Sequence, residues 1–236
     1  MTMKHAEHVW TVQVDSSRSE YFVAAAQIYC STFSLQDREP VRVLAERLDS
    51  ESAAGPNALH IDVFGTGAKF SGNTKAIAVY HYMSNSNSGL LSFLAVKKAF
   101  RGMGYGSRLY SVVKRRIKLD GLQRQSLAPT GIFCEVRKDQ PHNPNDHTFD
   151  FWKQNNTFPI SMEWLHPRIS SEDTITSLTL LFSPLVRSYR HRLPSAFLAR
   201  AVEDIYQIAY RKPLDDPLLA RVRESIKKTH YHTLLR

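Results

Sequence analysis

Apolar residues recur along this chain with two periods, and each change of period marks an element. Residues 9–14 (VWTVQV) alternate apolar and polar, as a half-buried strand does. From 19 to 33 the spacing turns helical, with Phe22, Val23, Ala26, Tyr29, Cys30 and Phe33 on one stripe. Asp15-Ser-Ser-Arg, followed by Glu20, supplies a start signal for that helix. A break at 34–40 precedes a second helix over about 40–48. Alternation returns at 59–65 (LHIDVFG) and 75–83 (KAIAVYHYM), either side of a glycine-rich turn, 65–73. The polar turn 85–89 leads into 90–96, an almost unbroken apolar run of buried-strand length. These three strands in succession predict a short-looped antiparallel meander.

After 96 come a basic turn and a glycine cluster, Arg101-Gly-Met-Gly-Tyr-Gly106. A helix follows, with Leu109, Tyr110, Val113 and Ile117 on one face and Arg108, Lys114, Arg115, Arg116 and Lys118 on the other. A further strand is predicted at 131–136 (GIFCEV), a loop at 137–146 and a helix at 147–155. The last strand is placed at 173–182, pairing with 160–165. Two amphipathic helices close the chain at 194–212 and 214–229, before a mobile tail containing Tyr231 and His232. Each of these helices shows an apolar face that has to be covered by the fold, by a second copy of the chain, or by acting as a lid.

Strand, glycine turn and helix in that order make an anion cradle. Glycines remove Cβ atoms so that backbone N–H groups can converge, and a helix start adds unpaired donors and a positive dipole end. Two common phosphate loops do not fit. A Walker A loop ends in Gly-Lys-Ser/Thr, whereas Gly106 is followed by Ser107 and Arg108. A dinucleotide fingerprint is G-x-G-x-x-G with an acidic residue about 20 residues on. Here Gly102, Gly104 and Gly106 alternate strictly, and Asp120 precedes Gly121 in what reads as a loop.

The stretch resembles motif A of the GNAT superfamily of acyl-CoA N-acyltransferases, Gln/Arg-x-x-Gly-x-Gly/Ala, met by Arg101, Gly104 and Gly106. Gly102 and Tyr105 add the common R-G-x-G-Y-G form. The resemblance spans about 9–182 and is specific at 90–109. It implies an α/β GNAT fold over 1–183, a mixed, mostly antiparallel sheet flanked by helices. Residues 184–236 then form a C-terminal helical extension, packed on that fold or at a homodimer contact. The cosubstrate it implies is acetyl-CoA. Its pyrophosphate would lie on Arg101, Gly102, Met103, Gly104, Tyr105, Gly106 and Ser107, and its pantetheine arm along Leu94, Ala95 and Val96. The segment IYCSTFSLQDREP resembles a pattern between the first two helices of some GNATs. That makes Asp37, Arg38 and Glu39 candidates for binding the acceptor, although Asp37 and Glu39 equally suit the start of the second helix. Motif B corresponds to Phe149-Asp-Phe151-Trp152-Lys-Gln-Asn, with Trp152 where many relatives carry a tyrosine that protonates the leaving thiolate.

Amide formation from a thioester needs an acceptor for the amine's proton and a stabilised oxyanion, but no covalent nucleophile. Three residues are candidates. Glu135 lies between apolar neighbours on its strand, where burial would raise its pKa, though pairing with a basic residue would explain it equally. Ser92, the one polar side chain within 90–96, can order a water or simply be a core serine. His81, between Tyr80 and Tyr82, either faces the acceptor groove or is a hydrogen-bonded core histidine. A free N–H near Phe93 or Leu94 would serve the oxyanion. Cys134 has no His–Asp pair at recognisable spacing, so a covalent route is disfavoured. The expected activity is N-acetyl transfer to a primary amine, the alternative a CoA-binding regulatory or partner-binding module without turnover.

Composition narrows this little. The chain has 236 residues, 42% of them hydrophobic, and a net charge of +9 that suits an anionic ligand. Without zinc-finger spacing or an aromatic RNA-binding motif, nucleic acid is an unlikely partner. Cys30 and Cys134 sit in apolar surroundings and read as buried free thiols of a reducing compartment. No apolar stretch predicts a signal peptide or a membrane span, so a cytoplasmic location is expected. His142, Asp146 and His147 frame a loop without a second ligand cluster, so no metal is expected.

Overall fold

A computed structural model describes residues 8–51, 57–137, 148–167 and 178–235. His142, Asp146, His147 and the first part of the strand expected at 173–182 lie outside them. Chain order runs β1 (Val9–Val14), α1 (Glu20–Thr32), α2 (Val41–Glu51), β2 (Ala58–Thr66), β3 (Thr74–Met83), β4 (Ser88–Val96), α3 (Tyr105–Gln125) and β5 (Gly131–Arg137). It continues with α4 (Thr148–Gln154), β6 (Phe158–Pro159), β7 (Leu178–Pro184), β8 (Arg192–Pro194), α5 (Ser195–Asp204), a π-helix (Ile205–Ala209), α6 (Pro217–Lys227) and β9 (Tyr231–Thr233). Seven strands form one mostly antiparallel sheet in the order β1-β2-β3-β4-β5-β7-β6. The parallel pair is β4 with β5, in register at Gly89↔Ile132, Leu90↔Phe133 and Leu91↔Cys134. β5 is then paired with β7 along its whole length, from Gly131↔Pro184 to Arg137↔Leu178.

The described residues group into two compact units. One contains the chain up to 51, Leu59–Tyr80 and Phe93–Val113; the other contains Asn57, Ala58, His81–Ser92 and everything described from Lys114 on. In the first unit α1 is capped by the Ser19 hydroxyl, which accepts from Tyr21 N–H at 3.2 Å. Asp15–Arg18 stay outside the helix. Ser17 instead gives its N–H and hydroxyl to Asp49, at 2.8 and 2.6 Å, and these two bonds hold the Asp49 carboxyl below the usual carboxylate range. The buried face of α1 is Phe22, Ala24, Ala25, Ile28 and Tyr29. Val23 and Cys30, expected on that face, are exposed. The alanines explain the difference, because small side chains let the helix axis approach its neighbours and so select the face that packs. These residues close over Ile61, Val63, Ile77, Val79 and Ala95.

In the second unit one hydrophobic cluster joins Phe133, Phe158 and Phe182 to Phe197, Leu198, Ile205, Leu219 and Val222. α5, the π-helix and α6 therefore share a core with β5, β6 and β7. The continuous helix expected over 194–212 is interrupted, becoming a π-helix after Asp204. α6 begins at Pro217 because Asp216 caps it, Oδ1 accepting from Leu218 N–H at 2.8 Å and Leu219 N–H at 3.2 Å.

Two expectations fail here. β7 pairs with Phe158–Pro159, and of the expected 160–165 it meets Ile160, whose N–H donates to Leu180 O at 2.9 Å before the chain bridges from Ile160 to Leu234. The terminal Tyr231 and His232 are not mobile: they lie in β9, paired with β8, and the buried His232 ring meets the carbonyl oxygens of Ser161 and Ile226, each at 3.1 Å. Among the described residues no helix is long and apolar enough to cross a membrane.

Candidate functional site

The glycine cluster sits where β4 gives way to α3. A short 3-10 turn, Lys98–Phe100, carries the chain off the strand, and Arg101 ties back to it, Nε donating to Val96 O at 3.2 Å. Gly102 and Gly104 have φ of +78° and +76°. A side chain at either would meet nothing within 4 Å, so what these positions require is backbone freedom, not space. No amide of Gly102, Met103 or Gly104 donates to another described residue, and the first-turn amides of α3 have no partner within the helix. No acidic side chain stands in that first turn. The outcome is an exposed run of backbone donors, Gly102 to Gly104, at the positive end of a 21-residue helix.

The remaining residues of the stretch divide by role. Tyr105 is buried, its ring 5.2 Å from that of Phe64, and so anchors the helix start from inside. Met103 is exposed, and Gly106 and Ser107 lie in the first turn of α3. Leu94 and Val96 are partly exposed and Ala95 is buried. Lys97, whose ammonium is disfavoured by burial and by the nearby Lys75, gives its N–H to Lys75 O at 2.9 Å.

The charged side chains of the 34–40 segment in the same unit are paired. Asp37 accepts from the Ser34 hydroxyl at 2.6 Å, and Arg38 gives Nε to Phe33 O at 3.1 Å while lying 5.5 Å from the centre of the Tyr29 ring. Both Glu39 oxygens accept from Nη1 of the buried Arg47 at 3.1 Å. α2 carries no acidic residue in its first turn.

In the second unit Ser92 and His81 meet, Oγ to Nδ1 at 3.3 Å, with His81 buried. Neither bonds Glu135. That residue stands one position beyond the last β4–β5 pair, Leu91↔Cys134, and is half-buried. Its two oxygens are held separately. Oε1 accepts from Trp164 Nε1 at 2.5 Å, and Oε2 accepts from the Tyr210 hydroxyl. No basic side chain pairs with it among the described residues. Burial and the adjoining carboxylate push the Tyr210 hydroxyl well above its ordinary range, which keeps it a donor. Tyr210 also packs on His166, ring centres 4.7 Å apart, and on Tyr206 at 5.8 Å. Nothing local in the sequence points to Trp164 or Tyr210, which are 29 and 75 residues away from Glu135 along the chain.

On the neighbouring face, burial pushes the Cys134 thiol far up, aided by the Glu135 carboxylate. A thiol so placed stays protonated and is no nucleophile. Burial also brings Lys114 down to about 8, and its Nζ donates to Asn155 O at 2.6 Å, just after α4. Trp152 of α4 is buried, its ring 4.9 Å from that of Phe151. A separate open depression of about 500 Å³ beside α6 is lined by Glu163, Arg221, Glu224 and Lys227 among others, and contains no candidate catalytic residue. Among the described residues no group of three or more His, Cys, Asp or Glu side chains can hold a metal ion.

The sequence matches no protein-family model and no curated protein. Solved structures do resemble it. A protein of Bacteroides thetaiotaomicron assigned to the GNAT acetyltransferases superimposes with a TM-score of 0.61 at 13% identity, covering 85% of this chain and 98% of its own. The chain has the GNAT fold. A GNAT-family protein of Desulfovibrio desulfuricans gives a TM-score of 0.51 at 14% identity, covering 75% of this chain and 99% of its own. A Salmonella typhimurium structure, described as an acetyltransferase with its cofactor acetyl-CoA, gives 0.50 at 12% identity, covering 76% and 95%. At such identities the likeness establishes the GNAT fold and leaves the chemistry to be argued from the residues.

Proposed function

We propose that this chain is an N-acetyltransferase that moves an acetyl group from acetyl-CoA to a primary amine of a small molecule or peptide. The observation that carries this reading is the Arg101–Gly104 turn, whose two left-handed glycines open unpaired amides onto the start of α3. The residues fit a diphosphate, with backbone N–H groups of Gly102, Met103, Gly104, Gly106 and Ser107 around it and Arg101 alongside. The Salmonella neighbour, described with acetyl-CoA, supports the choice of ligand. The edge of β4 at Leu94, Ala95 and Val96 would receive the pantetheine amides, and an N–H near Phe93 or Leu94 the oxyanion. Acetyl-CoA, when bound, supplies an acyl group already activated as a thioester.

The amine then attacks the carbonyl carbon directly. A C–N bond forms, the C–S bond breaks with the CoA sulfur leaving as the thiolate, and Glu135 takes the amine's proton. Ser92 and His81 order the approach, while Asp37, Arg38 and Glu39 border the acceptor. Calorimetry with CoA tests the cradle. Wild type should bind, and Gly104→Val should bind at least about tenfold more weakly, since a strained turn misdirects several amides together. Equal affinities for the two proteins would remove the reading.

Trp152 supports a second reading, a CoA-binding regulatory or partner-binding module without turnover, because an indole N–H is no practical acid for a leaving thiolate. CoA release measured over a panel of polyamines, amino acids, aminoglycosides and peptide N-termini separates the two. Binding without release across the panel favours the module.

A further inference from the structure

We infer that Tyr210, delivered by the π-helix after α5, is a positioning residue for Glu135, so that the segment beyond Pro184 completes the catalytic apparatus. The inference rests on Glu135 acting as proposed above. Glu135 has one neutral donor on each oxygen and no counter-cation among the described residues, an arrangement that orients a carboxylate without neutralising it. Both donors depend on the π-helix. Its extra residue per turn changes the direction in which the following side chains leave the backbone. Tyr210 N–H reaches Ile205 O at 3.2 Å and Lys212 N–H reaches Tyr206 O at 2.9 Å, longer loops than an α-helix makes. Asp204 fixes the entry to this turn: its buried carboxylate accepts from Ser86 N–H at 2.8 Å. From inside the turn the Tyr206 hydroxyl donates to Leu165 O at 2.5 Å, which pins the segment carrying Trp164. The Trp164 and Tyr206 rings stand edge to face, 5.8 Å apart. One irregular helical turn thus sets both groups that hold the carboxylate.

A tyrosine placed only for packing would tolerate loss of its hydroxyl, since phenylalanine fills the same volume. A tyrosine that orients Glu135 would not. With an amine that the wild type accepts, Tyr210→Phe should lower kcat about tenfold to a hundredfold, as loss of a hydrogen bond to a charged group does, and leave the KM for acetyl-CoA unchanged. In carbon-labelled protein the Glu135 carboxyl resonance, identified by its loss in Glu135→Gln, should shift.

If Tyr210→Phe leaves kcat and the resonance as in wild type, the inference is overturned while the acetyltransferase reading stands. If wild type turns over no amine, that reading fails, and the resonance alone decides whether Tyr210 holds Glu135. Should Tyr210→Phe not fold, Trp164→Phe removes the other donor and is read the same way.

Discussion

Gly104 faces open space, so the cost of a side chain there is conformational. A branched residue held at φ +76° costs roughly 1–2 kcal/mol, small beside the total stability of a domain. Gly104→Val should therefore fold while losing CoA, which separates a structural from a functional role for the turn. Lys114 makes a different prediction. Its amine is brought from 10.5 to about 8 by burial, so between these values the unfolded chain binds more protons than the folded one. Stability should then rise with pH from about 8 to 9, and Lys114→Met should flatten the rise in urea titrations. Above pH 9 the opposite effect enters, because the buried Cys134 thiol and, above pH 10, Tyr82, raised by burial to about 12, stay protonated when folded. The glycine turn ahead of α3 is legible from sequence because glycines, arginine and helix start are neighbours. The partners of Glu135 were not, since only the folded chain brings Trp164 and Tyr210 to it.

Strands and helices with strong periodicity were found where hydrophobic spacing puts them, and their ends moved by a few residues as caps decided. α1 was legible as a helix but not in its orientation, since Val23 and Cys30 are exposed and the alanine face is packed. The π-helix left no mark in the sequence: 194–212 has the spacing of one uninterrupted helix. It also offers a test that changes no side chain touching Glu135. Deleting the exposed Gln207 should restore α-helical winding, because it removes the extra residue of the turn without removing a member of the apolar cluster. Circular dichroism should show a folded protein, and the Glu135 resonance should resemble that of Tyr210→Phe. A resonance identical to wild type would mean that winding does not set the tyrosine.

β5, β6 and β7 do not stand alone. Phe133, Phe158 and Phe182 share one cluster with Leu193, Phe197, Leu198, Leu219 and Val222. Each large apolar side chain is worth roughly 1.5–3 kcal/mol when buried, so exposing several together exceeds the about 5–15 kcal/mol that holds a domain folded. A chain ending at 183 should therefore aggregate or stay unfolded in size-exclusion chromatography; a monomeric, cooperatively melting fragment would contradict this. The net charge of +9 acts at longer range, drawing a polyanion such as CoA toward the protein in a salt-dependent way. The pairing of Tyr231–Thr233 with Arg192–Pro194, and of Leu234 with Ile160, bears on biosynthesis. During translation these contacts stay unmade until their last residues leave the ribosome. The apolar cluster beneath them then waits partly uncovered, a period in which a chaperone has something to hold.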